Sequence, residues 1–355
     1  MPQVQAAQSL PTPQNPGAAA THILVVRQSD LRGFILALGA LETLRRAHPR
    51  ARITAIVHPE LEAFAELCPF VDDVICDLEH DDKRRRAARV TSLRRTDFDM
   101  VYDLDGDLRS ETLLRALKPR FGTGPNSSGP THSATFSGAS KPGSVSEIQR
   151  LSGQLILAGV EFTRIPVPSL NWVRPKLGNP PRLSPTYYGI SGRFALVSVN
   201  SEATGAELYW PQDAVIDLCH HLAKGGITPV LTGPKDAGAL AQSVEMSVRE
   251  AKNLVARADV SQLIALSEEA DIAIGPDGAA LQMAGLAGTP CLLLTTTKAA
   301  RAGLDTPYSA PYITVHAKKL SDIQTEALWQ TLTCWQQAGI AMTLEESPIN
   351  RHIGL

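Results

Sequence analysis

The sequence predicts an α/β protein made of two doubly wound parallel sheets in tandem. Three observations carry this. Short, β-branched runs alternate with segments of helical spacing over residues 22–104, and the rhythm restarts over 194–294. Between the two series lie six prolines, Pro166, Pro168, Pro175, Pro180, Pro181 and Pro185, the signature of a linker. A chain of 355 residues also suits two domains, each of about 150 residues and able to bury its own core.

In the first series, 22–26 has the size of a buried strand. Residues 33–46 place Leu38, Leu41 and Leu44 at helical spacing and end on two arginines, with Pro49 beyond. Arg52–Val57 and Asp73–Cys76 read as strands, with a helix over 61–67 between them. The charged stretch 81–95 reads as a solvated helix and 100–104 as a fourth strand. Residues 122–146, rich in Gly, Ser, Thr and Pro, read as a long loop, a kind that is usually functional or mobile. Residues 147–159 return to helix.

In the second series, 194–199 is a strand, and 213–224 a helix closed by Gly225-Gly226 as a left-handed C-cap requires. Strands follow at 228–232, 271–275 and 290–294, with helices at 261–267 (Ser261 as N-cap) and 279–286. The expected organisation is a flexible tail over 1–21, a first domain over 22–170, a linker over 171–190, a second domain over 191–335 and a C-terminal segment over 336–355.

Composition narrows the function classes. With 43% hydrophobic and 20% charged residues, the chain is globular and not fibrous or wholly disordered. A net charge of −2 gives no field for a polyphosphate backbone, so no nucleic-acid partner is expected. Cys68, Cys76, Cys219, Cys291 and Cys334 are scattered, odd in number and without a C-x-x-C pair. That argues against a disulfide framework and predicts a reducing, cytoplasmic compartment. No apolar run reaches the ~18–20 residues that span a bilayer. The first 21 residues lack the basic start and apolar stretch of a signal peptide.

Ligands of such sheets bind at the carboxyl ends of the strands, and here also between the halves. Four segments sit at strand ends. The turn from Arg27 to Gly33 leads into a helix whose free N–H groups suit an anion; Ser29 and Asp30 either act on a substrate hydroxyl or cap the helix. Asp103, Asp105 and Asp107 form an acidic turn. It reads as a cation site without the pattern of an EF-hand, as a solvated turn with Asp107 capping a helix, or as a place where Asp103 and Asp105 orient an acceptor hydroxyl. Asp277, Gly278 and Ala279 offer backbone N–H groups and small side chains to a phosphate, or form a tight turn with Asp277 as N-cap. In the loop 199–211, Ser201 and Thr204 are candidates to donate hydrogen bonds to a phosphate, while Trp210 fills the core and Pro211 starts a helix. His220 and His221 point about 100° apart on a helix and share no metal. His132, in the long loop, is the histidine to watch.

Taken in order, these segments resemble glycosyltransferase family 9, the ADP-heptose:lipopolysaccharide heptosyltransferases, from about residue 23 to about residue 332. The similarity runs through the opening strand, turn and helix over 23–41, the entry to the second strand over 47–54, and Tyr102-Asp-Leu-Asp-Gly-Asp-Leu-Arg-Ser110. It continues through Trp210-Pro211, 226–230 and 275–290. The resemblance implies a GT-B fold, two Rossmann-like domains facing across a cleft, with the C-terminal segment crossing back to the first. It implies inverting transfer of a sugar, heptose-like, from a nucleotide-sugar donor (an ADP-sugar) to a lipid-linked or surface glycan, with no metal and no other cofactor. The donor would lie against Ser201, Thr204, Asp277, Gly278, Ala279 and Gln282 of the second domain. The acceptor would lie against Arg27, Ser29, Arg32, Asp103, Asp105, Arg109 and His132 of the first, with Asp30 as general base and Arg27 or Arg32 assisting phosphates or acceptor charges.

The sequence departs from the family at three places. The family's Leu-Gly-Asp turn, whose Asp is the base, reads Leu31-Arg32-Gly33. Its Lys before x-Trp-Pro is Leu208. Its Asn-Asp-Thr-Gly-Pro-x-His block reads Pro276-Asp-Gly-Ala-Ala-Leu-Gln282, which keeps only Asp277. A catalytically inactive scaffold that binds a nucleotide sugar, a glycan or a protein is therefore the rival reading. A dehydrogenase is disfavoured because the first turn lacks the dinucleotide glycine pattern. The basic clusters 83–86 and 94–95 are candidates for contact with the inner-membrane surface, or are solvated helix faces.

Overall fold

The computed structural model describes residues 20–76, 83–117, 121–123, 146–302, 310–337 and 351–354. The first lobe runs β1 (His22–Arg27), α1 (Leu31–Ala47), β2 (Arg52–Val57), α2 (Glu62–Ala65), β3 (Asp73–Cys76), α3 (Lys83–Arg95), β4 (Met100–Asp103), α4 (Leu108–Leu117), β5 (Phe121–Thr123), α5 (Glu147–Leu157) and α6 (Val173–Leu177). Its strands form one parallel sheet in the order β3-β2-β1-β4-β5. Alternate residues of β1 enter opposite cores. Ile23 and Val25 pack with α1 and α5, and Leu24 and Val26 with Leu93, Phe98 and Leu113. Both faces are covered, which is why residues 23–26 of β1 read as an unbroken apolar run.

The second lobe runs β6 (Phe194–Ser198), α7 (Gln212–Lys224), β7 (Thr228–Thr232), α8 (Gly238–Ser247), β8 (Lys252–Asn253), α9 (Val260–Glu269), β9 (Ile272–Pro276), α10 (Ala279–Ala287), β10 (Cys291–Thr296), α11 (Thr297–Ala302), β11 (Tyr312–Ala317), α12 (Thr325–Gln337) and β12 (Arg351–Gly354). Its sheet, parallel throughout, has the order β12-β11-β10-β9-β6-β7-β8.

Several local expectations change. The start of α9 is set by Asp259, not Ser261: Asp259 accepts from the Gln262 backbone N–H while Gln262 returns to the Asp259 N–H, a capping box. Residues 59–61 form a 3-10 turn before a four-residue helix, in place of one helix over 61–67. The expected loop over 122–146 begins inside β5; residues 124–145, His132 among them, lie outside the described residues. Gly226, at φ +72°, takes the left-handed position after α7.

The proline-rich connection is a packed strap. Trp172 stacks on Phe64 with ring centroids 5.8 Å apart, and Lys176 Nζ donates to the Leu67 carbonyl at 2.6 Å. Arg174 meets Glu268 of the second lobe at 3.3 Å. Ile264, Met283 and Leu286 of the second lobe are buried in the first lobe's core, where α10 packs against α1. The cleft between the lobes is thus closed at its base by an apolar seam. Beyond α12, the described residues 351–354 pair with β11 in the second sheet. Among the described residues no helix is long and apolar enough to cross a membrane. All five cysteines are free thiols.

Candidate active site between the two sheets

Each sheet has one point where its winding reverses. In the first, the chain moves outward from β1 to β2 and β3, then returns to β4 on the other side of β1. In the second, it moves from β6 to β7 and β8, then returns to β9 on the other side of β6. At such a point the two connections leave in opposite directions and open a crevice beyond the carboxyl ends of the strands. Ser29, Asp30 and Arg32 follow β1, and Asp103, Asp105 and Arg109 end or follow β4. Ser201 and Thr204 follow β6; Asp277, Gly278 and Ala279 follow β9.

An ion pair joins the two crevices. Arg32 Nη2 donates to Asp277 Oδ2 at 2.7 Å and Arg32 Nε to Oδ1 at 3.3 Å. Gln282, fully buried on α10, donates through Nε2 to Asp277 Oδ1 at 2.6 Å. The Asp277 carboxylate therefore does not cap α10. Gly278 holds the N-cap position with no side-chain hydrogen bond, so no side-chain cap engages the first N–H groups of that helix.

On the first lobe, Asp30 is exposed and is the N-cap of α1, its Oδ1 accepting from the Gly33 N–H at 2.9 Å. Gly33 stands where the family resemblance places a base, and there is no room for one. A Cβ there would lie 2.4 Å from Ser29 Oγ and 3.0 Å from Arg27 Nη2. Arg27, only 3% exposed, spends its guanidinium inside the lobe. It donates to the Gly33 carbonyl (3.1 and 2.6 Å), the Leu104 carbonyl (2.7 Å), Glu147 Oε1 (2.9 Å) and Asp105 Oδ1 (3.4 Å). Arg27 thus supports the turn from below. Asp105 also accepts from the Gln28 N–H, tying the two loops of the crevice together. Arg109 lies outside, pairing with Asp107, whose Oδ1 caps the start of α4 through the N–H groups of Arg109 and Ser110.

Charge in this cluster is balanced against burial. Burial acts to raise Glu147, but the hydrogen bond from Arg150 and the charges of Arg27 and Arg150 outweigh it and hold the carboxyl below its usual range. Burial raises Asp105, with Arg27 opposing. Burial pushes Asp103 up to about 6, against hydrogen bonds from the Gly106 N–H, Ser110 Oγ and the Asp105 N–H. The folded protein therefore keeps the Asp103 proton to a higher pH than the unfolded chain does. The stability this gives is complete below about pH 4 and is lost as pH rises through about 6, a swing of up to about 3 kcal/mol. Asp103→Asn is expected to remove that dependence. Ser110 Oγ also lies 3.0 Å from the Asp107 carbonyl, so it can donate there and accept from the new amide. Denaturant titrations should find the variant close to wild type at pH 4.5 and more stable at pH 8; a variant less stable at both would contradict the assignment.

On the second lobe, Ser201 Oγ is held by Asp236, and Thr204 is exposed on a 3-10 turn. Asn200 braces the loop by donating to the Leu208 carbonyl and accepting from the Trp210 N–H at 3.2 Å. Leu208 is 40% exposed, and Trp210 is fully buried in the core as expected. Gly275 lets β9 approach β6: its φ is +149°, and a Cβ would fall 2.3 Å from the Ser198 carbonyl oxygen. Glu147, Arg150 and Asp236 were not among the residues read from sequence. Glu147 meets Arg27 across 120 residues, and no local pattern carries that information. Among the described residues no group of three or more His, Cys, Asp or Glu is placed to hold a metal ion.

No family model matches the chain. The structure of ADP-heptose lps heptosyltransferase II from E. coli superposes with a TM-score of 0.69, over 90% of this chain and 100% of that one, at 15% identity. This is the GT-B fold. The glycosyl transferase family 9 structure from Veillonella parvula gives the same TM-score over 90% of this chain and 98% of that one, at 17% identity. A curated Haemophilus influenzae protein, provisionally named a glycosyltransferase, is 35% identical over 77 residues. The chain aligns with 22% of the length of that relative. The fold implied by the ordered motifs is therefore the observed one.

Proposed function

We propose that the chain is an inverting, metal-independent glycosyltransferase that moves a heptose-like sugar from an ADP-linked donor to a glycan of the lipopolysaccharide type. The observation that carries this reading is the meeting of the two crevices, tied by Arg32 and Asp277. The second lobe supplies the donor side. The α10 N-terminus offers N–H donors and Thr204 a hydroxyl to the diphosphate, whose charge grows as it leaves, while the Ser201 hydroxyl, donated to Asp236, fixes the loop. The first lobe supplies the acceptor side. Asp30 Oδ1 is fixed by the Gly33 N–H, which leaves Oδ2 to take the proton of the acceptor hydroxyl as that oxygen attacks the anomeric carbon. One displacement, with the nucleoside diphosphate departing from the opposite face, inverts the centre. Helix α3 carries Lys83, Arg84, Arg85, Arg86, Arg89, Arg94 and Arg95 and no acidic residue. It would hold the first lobe against the anionic cytoplasmic face of the inner membrane, where a lipid-linked acceptor is presented.

Gly33 and exposed Leu208 favour a second reading, a scaffold that binds the nucleotide sugar without turnover. Asp30→Asn separates them, because the amide oxygen can keep the cap while losing the base. Transfer to a heptose-deficient lipopolysaccharide should fall about 10²–10⁴-fold, the usual worth of a general base, with ADP-sugar affinity and melting temperature within error of wild type. Binding of the ADP-sugar by wild type with no transfer would favour the scaffold. Unchanged transfer by Asp30→Asn would remove Asp30 from the mechanism.

A further inference from the structure

We propose that the Arg32–Asp277 pair is a latch in which Asp277 stands in for the donor's diphosphate, so that a nucleoside diphosphate sugar binds by drawing Arg32 away from Asp277. This rests on the reading of the crevice as a donor site. Arg32 leaves the first turn of α1 and crosses to the other lobe, where Nε and Nη2 both lie on one carboxylate. That side-on fork fits a phosphate as well as a carboxylate. The pair is partly open to solvent, at 30% and 22% side-chain exposure, so an entering anion can reach it.

A second observation concerns charge. The two loops flanking the crevice of the second lobe, 199–211 and 275–283, contain Glu202, Glu207 and Asp277 and no Lys or Arg. Lys235 and Lys298 stand one strand out on either side, after β7 and β10. A diphosphate entering between β6 and β9 meets acidic loops unless a cation comes from elsewhere, and Arg32 is already delivered there by the first lobe. Asp277 precedes the uncapped start of α10, so its carboxylate competes with the ligand both for Arg32 and for the positive end of that helix. Gln282 keeps the carboxylate in place when Arg32 leaves. In the donor-free protein the pair adds a contact across the mouth of the crevice, and donor binding exchanges that interlobe contact for a ligand contact.

The latch predicts opposite signs for its two halves. Calorimetric titration of ADP, UDP and inorganic pyrophosphate into the full chain should give about tenfold weaker binding for Arg32→Gln. It should give about tenfold tighter binding for Asp277→Asn, each tenfold being 1.4 kcal/mol. Melting temperatures of both variants, measured without ligand, should fall by similar amounts, since each breaks the same pair. Binding that is unchanged in both variants, or shifted in the same direction, would overturn the latch while leaving the donor site standing. Failure of wild type and Asp277→Asn to bind any of the three probes would overturn the donor site and the latch together.

Discussion

Arg27→Met is expected to lower the unfolding free energy by about 3–5 kcal/mol, the range for removing one partner of a buried charge network. Arg27 is 3% exposed and holds three chain segments at once. These are the Gly33 carbonyl of α1, the Leu104 carbonyl and Asp105 carboxylate after β4, and Glu147 at the start of α5. Methionine fills a similar volume but donates nothing. Asp105, with a side chain only 5% exposed, keeps the Gln28 N–H but loses its ion-pair partner. Glu147 keeps Arg150, so part of the cluster survives. Adding Asp105→Asn should then restore some stability, because the buried carboxylate that has lost its ion-pair partner is removed while its oxygen can still accept from the Gln28 N–H. Urea titration checks both. A loss below about 1 kcal/mol for Arg27→Met would place the network among ordinary surface ion pairs.

Gly275→Ala should be comparably severe, at about 3–5 kcal/mol, from backbone strain and overpacking together. Its φ of +149° is one that L side chains rarely adopt, and the new methyl group would meet the Ser198 carbonyl oxygen at 2.3 Å and Ser198 Cβ at 2.8 Å. These are atoms of the neighbouring strand, which cannot rotate aside. Relief requires β9 to part from β6 at its carboxyl end, beside the proposed donor crevice. Denaturation should therefore shift together with loss of nucleotide binding. A soluble variant of near wild-type stability would mean that the two strands are not packed as closely as described.

Much of the architecture was readable because its strands are short apolar runs bounded by turn residues. Arg52–Val57, Asp73–Cys76 and Thr228–Thr232 fall where the patterns place them. Of helix α4 only the capping Asp107 was legible, because its start, Leu108–Arg109–Ser110, overlaps an acidic turn that reads as loop. The β11–α12–β12 end of the second sheet was not read either. Candidate site positions were legible where a strand meets a helix, since the turn residues there are distinctive. Their partners were not. Arg32 and Asp277 are 245 residues apart, and only the folded chain shows that Asp277 answers Arg32 and leaves the cap of α10 to Gly278. The same holds for Gly33: sequence records a missing carboxylate, while packing shows that Ser29 and Arg27 occupy its space.

The most direct test of the account is an electron-density map from crystals grown with a hydrolysis-resistant ADP-sugar. The diphosphate is predicted between the Ser201 loop and the Gly278–Ala279 turn, with the Arg32 guanidinium turned onto it. Density instead at the amino ends of the first sheet, in the cavity of about 350 Å³ lined by His22, Arg52, Thr54 and Asp73, would contradict it, as would crystals that take up no nucleotide.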